Sequence, residues 1–360
     1  MREKLKVIES IVKTHEGISD IACFNQDKIR IFDGRVSISC NKDIETPNGN
    51  FYLSQALKSL KVVKNYRFIN SDDPNKFHIK EGNKTLSFRK VFEDVEPLKD
   101  MKFEENISFN PKEFFEYVSK LKINFIKSKK DRGLKPVFDT IFFKSNGDTL
   151  DMVCTDSRRL GKITINHRSH NLEEGILVSY NTIMSLYNNR KFFEKYNEIS
   201  IYTDKSNYVK IDFDGKFEII TTLVDGNFPR YENIIPKDDV LKNININKSE
   251  ILSVLKEIKD FVSEPTNKVT FKLKDNNLTI CNEGYSADII SYESIINFKG
   301  NVNMTLGLNA QYMIDAISTI NSDFEESIRI GFISEMSPVM IYSNNDVIQN
   351  IVMPIMIKAE

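Results

Sequence analysis

The feature that most constrains this chain is an internal repeat carried by pattern and not by identical residues. Amphipathic segments recur at residues 4–12, 52–60, 111–121, 180–187, 248–258 and 310–320. Two of them open with helix-starting punctuation. Asn110-Pro111-Lys112-Glu113 supplies a capping Asn, a Pro at the first helical position and a Glu three residues on, and Asn247-Lys248-Ser249-Glu250 repeats the capping logic. Apolar residues then fall at helical spacing, as in Phe114, Phe115, Val118 and Leu121, and again in Ile251, Leu255 and Ile258. Each helix is therefore expected to bury one face. Between the helices lie runs rich in β-branched residues and broken by turns, such as 208–213, Asp214-Gly215 and 217–223. Similar breaks fall at 25–28, 81–84, 145–148 and 274–277. Strand is the expected dominant element.

The helix starts at 52, 180 and 310 are separated by 128 and 130 positions, and those at 111 and 248 by 137. A unit of roughly 130 residues holding two helix-plus-strands halves is thus used three times, which suits a chain too long for one hydrophobic core. The polar interruptions at Glu104-Glu105 and Pro236-Lys237-Asp238-Asp239 place the joints, giving expected domains of 1–104, 105–237 and 238–360. The fold class is α+β, each domain carrying two helices packed on antiparallel sheets.

The 50 Lys and Arg residues against 51 Asp and Glu give a net charge of -1, so any polyanion must be met by locally segregated charge. The longest apolar runs fall far short of the roughly 20 residues of a membrane helix, and the opening Met-Arg-Glu-Lys-Leu-Lys precedes no apolar stretch. No membrane span and no secretory signal are expected, which points to a cytoplasmic location. Cys23, Cys40, Cys154 and Cys281 are widely spaced without a Cys-x-x-Cys and are expected to be reduced. His167 and His170 lack a Cys or acidic partner at ligand spacing. Phosphate-loop, dinucleotide, esterase and zinc-protease motifs are absent. Catalytic residues, metal and cofactor are accordingly all expected to be none. The carboxylate pairs Asp72-Asp73, Glu173-Glu174, Asp238-Asp239 and Glu325-Glu326 read as solvated surface; a Mg²⁺-dependent nuclease built on them is the rival from another class.

Three segments carry a family resemblance: Cys-Thr-Asp-Ser-Arg-Arg-Leu at 154–160, Val-Asp-Gly-Asn-Phe-Pro-Arg-Tyr-Glu-Asn-Ile-Ile-Pro at 224–236, and Ile-Val-Met-Pro-Ile-Met-Ile at 351–357. In this order they resemble the bacterial sliding clamp, the β subunit of DNA polymerase III. The resemblance is specific over residues 105–360 and weak before them, where the opening strand and Pro-rich turn of such clamps are not visible. Domain one is expected to be trimmed or rewired, and that divergence with the heavy use of Asn, Ile and Lys points to a mobile element, a phage or a low-GC genome. The resemblance implies a homodimeric ring of six domains around duplex DNA, a processivity factor that tethers the replicative polymerase and other proteins with a clamp-binding motif, and a separate ATP-dependent loader. A nucleoid-associated location follows. A paralogue that recruits partners without being the main replicative clamp is the alternative within binding modules.

Carried over by position, the partner-peptide pocket between domains two and three would use Thr155, Ser157, Arg158, Arg159 and Leu160, with Phe138 on a neighbouring strand. Pro229, Asn233 and Ile234 would come from the second motif, Met353, Pro354 and Ile355 from the third, with Met336 and Pro338 nearby. Ser157-Arg158 stands where such clamps carry Gly-His, and Asn233 where they carry a basic residue. For sequence-independent DNA contact the window 109–132 offers seven cations against three carboxylates, an excess of +4. The resemblance assigns Lys127, Lys129, Lys130 and Arg132 to a DNA-touching loop, and Lys58, Lys61, Arg190, Lys191, Lys256 and Lys259 are further candidates. Phe88 on one side and Phe261 and Val262 on the other are the expected seam between two copies.

Overall fold

A computed structural model describes the chain except residues 16–19, 26, 33–35, 44, 47, 93–100, 126–134, 168–171, 205–206, 263–265, 283–290, 323–325, 345 and 358–360 and the side chain of Glu105. The described helices are α1 (Arg2–Thr14), α2 (Leu53–Val62), α3 (Pro111–Leu121), α4 (Tyr180–Asn188), the single-turn α5 (Arg190–Phe193), α6 (Lys248–Ile258) and α7 (Ala310–Thr319). Six of them stand where the amphipathic pattern puts them. The cause is visible at both ends of the scale. Phe114, Phe115, Val118 and Leu121 of α3, and Ile251, Leu255 and Ile258 of α6, are at most 2% exposed. Oxygens of Asn110, Asn247 and Asn309 accept from the backbone N–H of Lys112, Glu250 and Tyr312 at 2.9–3.0 Å.

Each long helix leads into three antiparallel strands. After α1 come Ile21–Phe24, Lys28–Phe32 and Val36–Asn41, and after α2 Arg67–Asn70, Lys76–Glu81 and Lys84–Arg89. After α3 come Thr140–Asn146, Thr149–Thr155 and Arg159–Asn166, and after α4 and α5 Ile199–Thr203, Tyr208–Phe213 and Phe217–Thr222. After α6 come Lys268–Lys274, Asn277–Cys281 and Glu293–Asn297, and after α7 Ser327–Phe332, Val339–Tyr342 and Ile348–Val352. A lead strand also precedes α2, α3, α4, α6 and α7, so one strand–helix–three-strand pattern recurs along the chain. The turn residues allow the tight hairpins: Asp214 and Gly215, and Asp275 and Asn276, all have φ between 51° and 66°.

The chain forms two compact units, Met1–Val118 with Arg168–Asp225, and Ser119–His167 with Gly226–Glu360. In the first, Val36–Asn41 pairs with Phe217–Thr222, so strands that follow α1 and strands that follow α5 merge into one sheet. Its helices α1 and α4 pack on each other, and Phe193 stacks on Phe213 at 4.2 Å in the core beneath. In the second unit Arg159–Asn166 pairs with Ile348–Val352 in the same manner, and α6 packs on α7. Cys40, Cys154 and Cys281 are buried cysteines that form no disulfide, and Cys23, also in none, is half-buried.

A second repeat sits in the side chains. In the halves led by α2, α4 and α7, a carboxylate at the last hairpin reaches back to the backbone N–H groups beyond the helix. Glu81 accepts from Lys64 and Asn65 at 2.7 and 2.6 Å, Asp214 from Asn197 and Glu198 at 3.0–3.2 Å, and Asp346 from Asn321 at 2.6 Å. Backbone N–H groups of the segment that follows the helix are satisfied the same way three times.

Candidate partner-peptide site

The first motif is a hairpin, and most of its polar side chains serve to make the turn. Thr155 pairs with Leu160 across it. The Asp156 carboxylate accepts from the backbone N–H of Arg158 and Arg159 at 3.0 and 3.1 Å, and the Thr155 hydroxyl donates to the Arg159 carbonyl at 2.6 Å. Ser157 carries φ 76°, a left-handed conformation that favours glycine, which is the residue the resemblance implies at this position. The hairpin is joined edge-on to the third motif: Arg159 pairs with Val352, Leu160 with Ile351, and the Met353 N–H donates to the Arg158 carbonyl at 2.9 Å. Beyond Pro354 the chain crosses the strand Met304–Asn309, where the Ile355 N–H donates to the Gly307 carbonyl at 2.8 Å. A Cβ at Gly307 would lie 2.5 Å from the Ile355 carbonyl oxygen, so only glycine permits this crossing.

The second motif is anchored by Tyr231, 1% exposed, which opens the short helix Tyr231–Asn233. Its hydroxyl donates to Asp151 at 2.7 Å, and the same buried carboxylate accepts from Asn146 and Thr164 at 2.8 and 2.7 Å and faces the Lys162 ammonium at 3.2 Å. Burial first, and then this carboxylate, push the Tyr231 phenol well above its ordinary range. Phe228 stacks on Phe142 at 4.6 Å, and Lys144 pairs with Glu232 at 2.6 Å. The loop is thus fastened to the strands that lead into the first motif, leaving Asn233 and Ile234 exposed.

These contacts sort the expected pocket residues. Ile234 and Met353, each 38% exposed, and Met336 at 59% present apolar surface to solvent. Pro229, Pro338, Pro354, Ile355 and Phe138 are half-buried, and Ser157 and Arg158 are exposed. Leu160 and Thr155 are buried, so neither side chain meets solvent. Phe138 lies in the short helix Pro136–Asp139 just ahead of a strand, because Pro136 cannot donate to a ladder. Arg159 is 3% exposed and clasped: its guanidinium donates to Asp156 at 2.9 Å and Asp315 at 2.7 Å and lies 4.3 Å over the Tyr312 ring. Burial raises the Tyr312 phenol pKa, with Asp156 adding to the rise and Arg159 and Arg158 opposing it. Tyr312, Asp315, Asp151 and Gly307 carry no signal in the sequence that ties them to this site, since each acts on residues far along the chain.

The DNA candidates sit on helix faces. In the first unit Lys58 and Lys61 are exposed on α2, as is Lys191 on α5, while Arg190 is half-buried over the Tyr187 ring at 4.5 Å. In the second unit Lys256 and Lys259 are exposed one turn apart. Lys127, Lys129, Lys130 and Arg132 lie outside the described residues. Lys120, counted in the basic excess of that window, is 7% exposed and paired with Asp346 at 2.6 Å, so it cannot face a polyanion. Of the seam candidates, Phe88 is half-buried and stacked on Phe77 at 4.7 Å, because its strand turns that side toward its sheet's own aromatic cluster. Phe261 is 36% exposed and stacked on Tyr292 at 5.5 Å, and Val262 is half-buried.

Residues 232–356 match the family model of the DNA polymerase III beta subunit, C-terminal domain. A beta sliding clamp of Mycoplasma capricolum is 24% identical over 276 residues, covering 75% of this chain and 69% of that protein. Another from Rickettsia bellii is 27% identical over 144 residues, 38% of this chain and 37% of its own. The crystal structure of the DNA polymerase III subunit beta from Pseudomonas aeruginosa superposes with a TM-score of 0.82 at 17% identity, covering 98% of this chain and 96% of that one. The chain is a relative of the bacterial β sliding clamps. The clamp fold extends through its first hundred residues as well, where the sequence resemblance is weak: the beta subunit from Thermotoga maritima matches over 99% of this chain with a TM-score of 0.79 at 17% identity. No helix among the described residues is long and apolar enough to cross a membrane.

Proposed function

We propose that this chain works as a DNA sliding clamp, a non-catalytic processivity factor that holds a replicative polymerase and other motif-bearing proteins on duplex DNA in the cytoplasm at the nucleoid. The observation that carries the reading is the joining of three distant motifs by strand pairing and by the Tyr231–Asp151 bond, with Ile234 and Met353 of those motifs, and Met336, left as exposed apolar residues. An extended peptide seated there would place apolar side chains on these anchors and pair its backbone with nearby polar groups. Three domains of about 130 residues per copy would need a second copy to complete six around the duplex, and a separate ATP-dependent loader would open them. Lys58, Lys61, Lys191, Lys256 and Lys259 would attract phosphates without reading bases.

The test is topological. Loaded onto nicked circular DNA by a bacterial clamp loader, the protein is expected to stay bound through gel filtration and to be released when the circle is cut once. Equal retention on circles and linear fragments would overturn encirclement.

A further inference from the structure

The rim of the proposed pocket carries, in the first motif, a cation that no carboxylate among the described residues neutralises. Arg159 consumes the local carboxylates: Asp156 holds the Arg158 and Arg159 amides and the Arg159 guanidinium, and Asp315 holds the Arg159 guanidinium and the Gln311 amide at 2.7 Å each. Arg158, the next residue, is exposed, and no carboxylate among the described residues pairs with its guanidinium. Its place is fixed nonetheless. The Arg158 carbonyl accepts from Met353 at 2.9 Å, its amide is held by Asp156, and its side chain lies near enough to the half-buried Tyr312 to lower that phenol's pKa against the effect of burial. A guanidinium that reaches the Tyr312 hydroxyl but has no carboxylate partner among the described residues, beside exposed Met353, is complemented by a carboxylate on whatever occupies the apolar anchors.

We infer that Arg158 is a specificity-determining residue that selects partner peptides bearing an Asp or Glu beside their apolar anchors. The inference rests on the peptide pocket proposed above. Guanidinium geometry adds to it, since a fork that accepts both carboxylate oxygens discriminates against an amide of the same shape.

The experiment uses fluorescent peptides of Gln-x-x-Leu-Phe type with the full-length protein, Ala at the variable positions replaced one at a time by Asp or Asn, and affinities read by anisotropy at low and high salt. One Asp peptide is expected to bind wild type about three- to fivefold more tightly than its Asn twin, the range of a partly exposed ion pair. The preference should shrink at high salt, disappear in Arg158→Ala, and pass to a Lys peptide in Arg158→Glu. That reversal is a readout that a merely structural role would not move. Equal Asp and Asn affinities at every position overturn the inference while leaving the pocket standing; loss of binding by every peptide in wild type removes the pocket and the inference with it.

Discussion

At the scale of single residues, exposure separates the side chains that support the site from those that can meet a partner. Leu160, 3% exposed and paired with Ile351, belongs to the core. Truncating such a leucine to Ala costs roughly 2–5 kcal/mol, so a charge there would unfold the hairpin before it tested the pocket. Met353 and Ile234 are better probes because each already meets solvent. Met353→Asp and Ile234→Asp are expected to abolish anisotropy-detected binding of a Gln-x-x-Leu-Phe peptide while shifting thermal stability by no more than about 1 kcal/mol. Retained affinity in both variants would remove these residues from the site. Arg159 belongs with Leu160: its place in the first motif is legible in the sequence, but its burial between Asp156 and Asp315 is not, because Asp315 lies 156 positions away.

At the scale of elements, the sequence makes the helices plain and leaves their fastening obscure. Amphipathic spacing and Asn caps are local signals, and they locate α3 and α6 to the residue. The carboxylates that return from the last hairpin to the helix end depend on tertiary placement, and Glu81, Asp214 and Asp346 share no common sequence context, one being a glutamate and two aspartates. Their role can be tested by pH. Hydrogen bonds from Asn65 and Lys64 hold the Glu81 carboxyl below the usual glutamate range. A depressed folded pKa gives stabilisation that is complete above the unfolded value of about 4.3 and is lost as pH falls through the lower folded value. Hydrogen-exchange protection of the Lys64 and Asn65 amides is therefore expected to hold at pH 6 and collapse in strong acid, with Glu81→Gln low at both. Protection in Glu81→Gln equal to wild type at pH 6 would show that the carboxylate does not hold this turn.

At the scale of the whole molecule, sheet edges raise the question of a second copy. Lys84–Arg89 is the outer strand of a three-stranded sheet and Glu293–Asn297 the outer strand of a four-stranded one, where Ile295 is 61% exposed near the Phe261–Tyr292 stack. Outer strands with apolar surface invite pairing and are ordinarily covered or blunted. A second copy that set one edge against the other would bury both and close a ring of six domains, through an interface that typically takes about 800 Å² from each partner. Phe261 and Val262 are seam candidates through the family resemblance, whereas Ile295 lies inside a strand whose edge position only the sheet order reveals. Light scattering across a dilution series is expected to give a mass near twice 41.7 kDa. The double variant Phe261→Asp with Ile295→Asp should fall to the mass of one chain and lose retention on circular DNA, yet bind the partner peptide as wild type does, since the pocket lies within one chain. A single-chain mass for wild type at every concentration would overturn the two-copy ring.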